Sequence, residues 1–386
     1  MKISKLTVSG FRSMADVTWQ PGSLNILIGP NASGKSNLLR FFEMVSASAR
    51  GELEKYVQRE GGMEPLVWDG SASVIEFLVE LAREDHPPVG SRYGLALKRL
   101  GKGSAYRIGY EFLGDIEAPS SKWIERSPGI AVLHSEKQRE IVLTDTSEVE
   151  TILSATGGPL SPSSRTREIK EELASWTVHH YVNTSRDSVI RMPSVATFSK
   201  RVAPDAQNLI SVLHTLYTSG RDFKREVDAA MVAAFGDEYE ELLFPPDADQ
   251  RVQLRIRWKS LKREQSAADL SDGTLRFLFL LAVLGNPNPP PVIAIDEPDT
   301  GLHPGMLAII AEYANAAATR AQVILTTHSP AFLDTFREST PTITVVSKVE
   351  GKTHLQLLSG EKLAYWLKQY TLGEIFRTGE LEAMEQ

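Results

Sequence analysis

The sequence predicts an α/β fold with a mixed central sheet, an antiparallel β lobe and a mainly helical lobe. Three observations predict it. The first 45 residues read as strand, glycine loop and helix. Residues 72–145 switch to period-two patterning broken by Gly, Pro and Ser, the mark of antiparallel sheet. After residue 270, helical segments alternate with short apolar runs, the order that builds parallel sheet.

Ile3, Leu6 and Val8 alternate with polar neighbours across residues 2–9, which is a strand. Ser23–Gly29 is a short apolar run of the kind that forms a buried strand. From Lys35 to Met44, Leu38, Leu39, Phe41 and Phe42 fall at helical spacing. Candidate strands follow at 74–79, 93–97, 106–112, 130–133 and 141–143. Residues 155–166, rich in Gly, Pro, Ser and Thr, read as a linker or loop. Residues 167–240 read as mostly helical, with Leu209, Ile210, Leu213, Leu216 and Tyr217 on one face. Val252, Leu254, Ile256 and Trp258 alternate with Arg251, Gln253, Arg255, Arg257 and Lys259, a strand with one basic face. Beyond it the expected order is helix 274–284, strand 292–296, helix 305–318, strand 322–326 and strand 342–346. No repeat of 20–50 residues and no long heptad run appears.

The chain has 386 residues, of which 42% are hydrophobic and 24% charged, so a packed core is expected rather than disorder. The net charge of −7 gives no overall field holding the protein to nucleic acid, though a local basic patch could. Cysteine is absent, which excludes disulfides, thiolate zinc sites, iron–sulfur ligation and cysteine nucleophiles together. The longest apolar run, Phe277–Leu284, is far below the ~20 residues of a membrane span. Nothing at the N-terminus has signal-peptide length. The expectation is a soluble, cytoplasmic protein with no membrane partner.

Gly29-Pro30-Asn31-Ala32-Ser33-Gly34-Lys35-Ser36 fits G-x-x-x-x-G-K-[ST]. Glycines let successive backbone N–H groups turn toward phosphate oxygens, and the helix opening at Lys35 adds its positive end. Lys35 is placed to reach the β- and γ-phosphates. The Ser36 hydroxyl is placed to take one Mg²⁺ position.

Pro291–Pro298 is an apolar strand that ends in Asp296 and Glu297. Asp296 can hold Mg²⁺ through its water shell, and Glu297 can orient and deprotonate an attacking water. Leu270-Ser271-Asp272-Gly273-Thr274 precedes a helix and offers a second anion-binding N-terminus. Taken alone it is equally an ordinary N-cap. Ser271 lies 25 residues before Asp296, and His328, at the end of the strand Val323–Leu325, lies 32 residues after it. Strand ends are where ligands collect in open α/β sheets. The other histidines, including the adjacent His179 and His180, read as structural or surface, since no pair has metal-ligand spacing.

In this order, Gly29–Ser36, Leu270–Thr274, Ile293–Glu297, Asp299 and His328 resemble the ABC-type ATPase heads of the RecF/SMC/OLD group, above all its short stand-alone members. Leu6–Ser13 is similar to their first strand and Phe-Arg turn. Pro298–Pro304 is similar to their D-loop region, and Trp366–Phe376 to their tail. The resemblance implies ATP and Mg²⁺ as cofactors, with Arg12, Asn31, Ala32, Ser33, Gly34, Lys35, Ser36 and Asn37 on the nucleotide. It implies Ser36 and Asp296 on the metal, and Glu297, His328 and Lys35 in catalysis. On this reading 1–160 and 285–386 form the ATP-binding lobe, and 161–284 a mainly helical insertion carrying the signature. Ser271, Asp272 and Gly273 then act in trans, in a homodimer that two ATP molecules close.

What such an ATPase acts on stays open between two readings. The six basic residues of Arg251–Arg263, a segment with no acidic residue, fit DNA and so repair or defence against phage or plasmids. The lobe at 72–145 fits docking of an effector protein, a nuclease or toxin. A built-in nuclease of the OLD kind is weaker, because the 58 residues after His328 hold no cluster of acids at strand ends beyond Asp334. A transporter subunit fits neither the signature nor the insertion.

Overall fold

Two units divide the chain, Met1–Val178 with Thr342–Ser359, and His179–Pro341. The computed structural model describes residues 1–83, 90–101, 103, 105–118, 120–135, 140–156, 163–336, 341–358, 373 and 376. The sequence places the lobe boundaries at 160 and 284. Thr342–Val349 pairs in parallel with Leu24–Ile28, which places it with the first unit. Apart from Gly373 and Phe376, the tail Trp366–Phe376 lies outside the described residues.

The first unit holds an antiparallel sheet of eight strands. Their order is Met14–Trp19, Lys2–Phe11, Val74–Ala82, Gly90–Arg99, Tyr106–Asp115, Lys122–Ser127, Ile130–His134 and Glu140–Leu143. The expected strands over 72–145 are all present, with Lys122–Ser127 as an addition. In the same unit Leu24–Ile28 is buried along its whole length, as its unbroken apolar run requires. The helix Lys35–Arg50 opens at Gly34 and closes at Gly51, both in the left-handed region that glycine adopts without strain. At 16 residues it is the longest helix among the described residues, so nothing there extends as a coiled-coil arm. Phe41 and Phe42 tie it into the core. Phe41 meets Phe11 and Phe77 edge-on at 5.8 and 5.2 Å, and Phe42 meets Trp19 and Trp176 at 6.3 and 5.7 Å.

In the second unit Val292–Ile295 and Gln322–Thr326 run parallel, every residue buried. The helices Asp272–Leu284 and Pro304–Ala318 accompany them. Leu209–Ser219 and Arg221–Phe235 supply the expected helices of the 167–240 region. That region is less helical than its pattern suggested. Between 175 and 208 it runs irregularly through the short strands Thr177–His179 and Ser194–Val195, because Asn, Ser, Pro and Arg there break any apolar period. The basic strand also divides. Arg251–Val252 joins Ser194–Val195 and Pro246–Asp247, whereas Arg255–Trp258 joins Tyr239–Leu243 and Gln265–Ser266. Of the linker candidate 155–166, residues 157–162 lie outside the described residues, and Ser164 already opens the helix Ser164–Ala174, capped by Ser163.

Candidate functional site

The glycine loop follows the strand Leu24–Ile28 in the first unit. Gly29 and Gly34 have φ of 144° and 115°, and Ala32 lies in the left-handed region at φ 64°. A Cβ on Gly29 would stand 2.0 Å from the Val346 carbonyl, and one on Gly34 2.1 Å from Thr353 Oγ1, so both positions require glycine. Lys35 is 5% exposed and bends back over the loop, donating from Nζ to the carbonyls of Gly29 and Pro30 at 2.8 and 2.9 Å. Ser33 Oγ is buried and has no hydrogen-bond partner among the described residues. Asn31, Ala32 and Ser36 are exposed. Asn37 Nδ2 donates to Ser13 Oγ at 2.7 Å, and Thr353 Oγ1 lies 2.7 Å from that hydroxyl and donates to the Ser33 carbonyl at 2.8 Å. The loop is thus braced from its base, with its N–H-bearing tip left in solvent. A cradle only glycine can form, a lysine curled over it and an orphaned hydroxyl fit a polyphosphate.

Arg12 lies elsewhere in its interactions. Its backbone is left-handed at φ 48°, and Nη2 is ion-paired with Glu60, which Arg40 Nη1 also reaches at 2.9 Å. A contact from Arg12 to a nucleotide would have to compete with this carboxylate.

In the second unit the parallel strands deliver their chemistry at their C-terminal ends. Asp296 N donates to the His179 carbonyl at 2.9 Å, and Thr326 Oγ1 donates to Asp296 Oδ1 at 2.5 Å. The same Thr326 oxygen accepts from Glu297 N at 2.9 Å, so one hydroxyl fixes both acids. Glu297 holds a left-handed backbone at φ 48°, a strained position for a residue with a Cβ and one that turns its carboxylate out of the strand. Its oxygens meet His328 Nε2 at 3.3 Å and Thr300 Oγ1 at 3.2 Å. Asp299 accepts from Thr327 Oγ1 at 2.8 Å, and burial pushes its carboxyl above the usual range. His328 thus stands directly against Glu297, and Asp299 is held on Thr327, the residue before His328.

Ser271 is the N-cap of Asp272–Leu284, accepting from Thr274 N at 3.1 Å, and Ser271 and Asp272 are both exposed. A Cβ on Gly273 would come within 2.8 Å of the Gly301 carbonyl, so glycine at this position allows the helix to touch the loop that carries Glu297 and Asp299.

Four contributors were not marked by the sequence. His180, expected to be structural or surface, instead places Nδ1 3.5 Å from Asp296 Oδ2. His179 turns away, its ring on Phe279 at 5.0 Å. Thr326 and Thr300 brace the acids, and Arg276 Nη1 donates to the Thr300 carbonyl at 2.8 Å. His180, Arg276, Phe279, Asp296, Glu297 and Thr300 help line a cavity of about 110 Å³. A signal existed only for His180, which follows a strand as His328 does. Among the described residues no group of three or more His, Asp or Glu could hold a metal by itself, so a metal here would need further ligands.

Three of the six basic residues at Arg251–Arg263 have partners within the unit. Arg257 pairs with Glu241 and Glu264 at 2.5 and 2.7 Å, Arg255 lies 3.7 Å from Glu264, and Arg251 donates to the Pro193 carbonyl at 3.2 Å. Among the described residues no helix is long and apolar enough to cross a membrane.

Residues 24–334 match the family model described as "AAA domain, putative AbiEii toxin, Type IV TA system". No curated protein matches the chain. Among solved structures, an SMC head bound to the C-winged helix domain of ScpA is similar over 94% of this chain and 100% of its own, at 17% identity and a TM-score of 0.57. An SMC head with an extended coiled coil, bound to the C-terminal domain of ScpA and derived from Pyrococcus furiosus, is similar over 95% and 98%, at 15% identity and a TM-score of 0.54. These likenesses establish the fold as that of an ABC-type ATPase head. The family match runs from the strand ahead of the glycine loop to beyond His328, and the chain belongs to this AAA domain family.

Proposed function

We propose that the chain binds and hydrolyses Mg-ATP and works as a nucleotide-driven switch by associating head to head with a second copy. The observation that supports it most is the glycine loop, where backbone geometry, Lys35 and the orphaned Ser33 hydroxyl suit a triphosphate. The backbone N–H groups from Asn31 to Asn37 and the Lys35 ammonium would bind the phosphates. Ser36 and Asp296 would hold Mg²⁺, which, when bound, neutralises charge on the phosphate oxygens. Glu297 would orient a water and accept its proton, with His328 fixing the carboxylate. Ser271 and Gly273 would face the nucleotide held by the second copy, where the helix N-terminus favours the extra charge of ATP over ADP. Phosphate release from ATP with Mg²⁺, and its loss in Lys35→Ala, tests the reading. A wild-type chain that neither binds nor hydrolyses ATP would end it.

As to the target, the family's description names a putative toxin of a type IV TA system, and on that ground we favour a defence role over DNA repair. DNA itself is the less supported partner, because Arg255 and Arg257 are neutralised by Glu241 and Glu264. The second reading, a nucleotide-gated module that controls a separate effector protein, gains from the same pairing. It gains also from the solved heads, which are described as bound to domains of ScpA. A mobility shift of duplex DNA that fades with salt would favour the first reading. A co-purifying protein released by ATP would favour the second.

A further inference from the structure

The turn that presents Ser271 and Gly273 is held from beneath by a residue far away in sequence. Arg191 has a side chain only 6% exposed. Its Nη1 donates to the carbonyls of Leu270, Ala267 and Ala268 at 2.6, 3.1 and 3.2 Å. Nη2 pairs with Asp272 Oδ1 at 2.5 Å, and Nε donates to the Thr184 carbonyl at 2.8 Å. One planar guanidinium thus joins four carbonyls and a carboxylate, a set that a lysine ammonium with three donors and no plane cannot reproduce.

These acceptors are not scattered. Ala267, Ala268 and Leu270 form the turn leading into the N-cap, and Asp272 is the first helical residue, so Arg191 spans the cap from both sides. Ser271 itself contributes nothing to that grip. Its Oγ accepts from Thr274 N and shares a hydrogen with Thr274 Oγ1 at 2.8 Å. The turn that sets the direction of Ser271 and of the first helical N–H groups is therefore held by Arg191 with Asp272 and three carbonyls, and not by Ser271 itself. The segment that carries Arg191 begins at His180, which lies against Asp296. One stretch of chain in this unit thus has one end on the acid pair and the other on the signature turn.

We propose that Arg191 is a positioning residue for the signature turn, aiming Ser271 and the N-terminus of Asp272–Leu284 at the triphosphate held by a second copy of the chain. The proposal rests on the head-to-head reading above. It assigns to Arg191 an effect on association between copies and none on the binding of ATP by a chain's own glycine loop.

The test uses the full chain and the variants Arg191→Lys, Asp272→Asn and their combination. Thermal midpoint, affinity for a fluorescent non-hydrolysable ATP analogue at low protein concentration, and analogue-dependent association by light scattering are each measured with Mg²⁺. Arg191→Lys is expected to weaken association about tenfold or more, with affinity for the analogue at low concentration within about twofold of wild type. Asp272→Asn is expected to weaken association less, and the combination to be no worse than Arg191→Lys alone, because the two side chains act as one pair. A folded Arg191→Lys that associates like wild type overturns the proposal. If that variant fails to fold, Asp272→Asn decides, and wild-type association by it overturns the proposal equally. A wild-type chain that binds the analogue without associating refutes the head-to-head reading instead, and removes the ground on which the assignment to Arg191 stands.

Discussion

His328 Nε2 stands 3.3 Å from Glu297 Oε1, and Thr300 Oγ1 donates to the other carboxylate oxygen at 3.2 Å. A carboxylate held from both sides on a left-handed backbone is aimed, and a water-orienting base needs aim as well as basicity. Glu297→Gln keeps the size and both neighbours but cannot accept a proton. It is expected to lower ATP turnover by about 10²–10³-fold with ATP affinity retained. His328→Gln is expected to lower it by about tenfold. Phosphate release at saturating ATP, compared with equilibrium binding, checks both. Wild-type turnover in Glu297→Gln would remove Glu297 from the chemistry.

Lys35 presents a different case, since its Nζ already donates to Gly29 and Pro30 carbonyls. These carbonyls hold the ammonium above the loop, so little side-chain entropy is lost when phosphate arrives. On the proposed reading, Lys35→Ala removes at least one charge-assisted contact to phosphate, each worth about 1.5–3 kcal/mol. An affinity loss of about 10²-fold is expected, measured by titration of a fluorescent ATP analogue. Unchanged affinity would mean that the loop does not hold the phosphates.

The same contrast explains how much the sequence revealed. Strands such as Leu24–Ile28 and Val292–Ile295 are uniformly apolar because both faces are buried, and their ends coincide with the glycine loop and the acid pair. Local pattern was sufficient there. It was not sufficient for Met14–Trp19 and Lys352–Leu358, which went unmarked. Trp19 is buried by chain remote in sequence, its Nε1 donating to Thr344 Oγ1 at 3.0 Å. The basic face shows the converse, a local pattern whose charge balance is set by residues outside it. Its alternation is real, but of the carboxylates that pair with Arg257, Glu241 comes from a neighbouring strand and Glu264 from the residue just before another. Arg191 carries no local signal, because what makes it matter is a set of partners more than 75 residues away.

Gly273 gives a prediction about packing. The Gly301 carbonyl lies where its Cβ would come to 2.8 Å, and both groups are backbone. Gly273→Ala must therefore push the start of Asp272–Leu284 away from the loop that carries Thr300, against the hydrogen bond from Arg276. Overpacking of this kind costs about 1–3 kcal/mol, against which the better helix propensity of alanine offsets less than about 1. A lower urea midpoint is expected. Equal or higher stability would show that the helix and loop can separate freely.

Glu111 supplies the pH dependence. It is fully buried in the first unit, where its oxygens accept from Ile152 N, Leu153 N and Tyr93 Oη at 2.7, 2.9 and 3.2 Å. Burial nevertheless raises its pKa above the ordinary glutamate value of about 4.5, the donors and Arg126 offsetting only part of the effect. The folded chain thus binds this proton more tightly than the unfolded chain. The stabilisation it gives is fully present below about pH 4.5 and declines as pH rises through the raised native value. Glu111→Gln cannot ionise and keeps one of the two acceptor oxygens, so it lacks this term at every pH. Wild type is expected to be the more stable protein at pH 4.5, with its advantage shrinking toward pH 7.5, in paired urea titrations. A stability difference independent of pH over that range would show that the Glu111 carboxyl titrates in the fold as it does in the open chain.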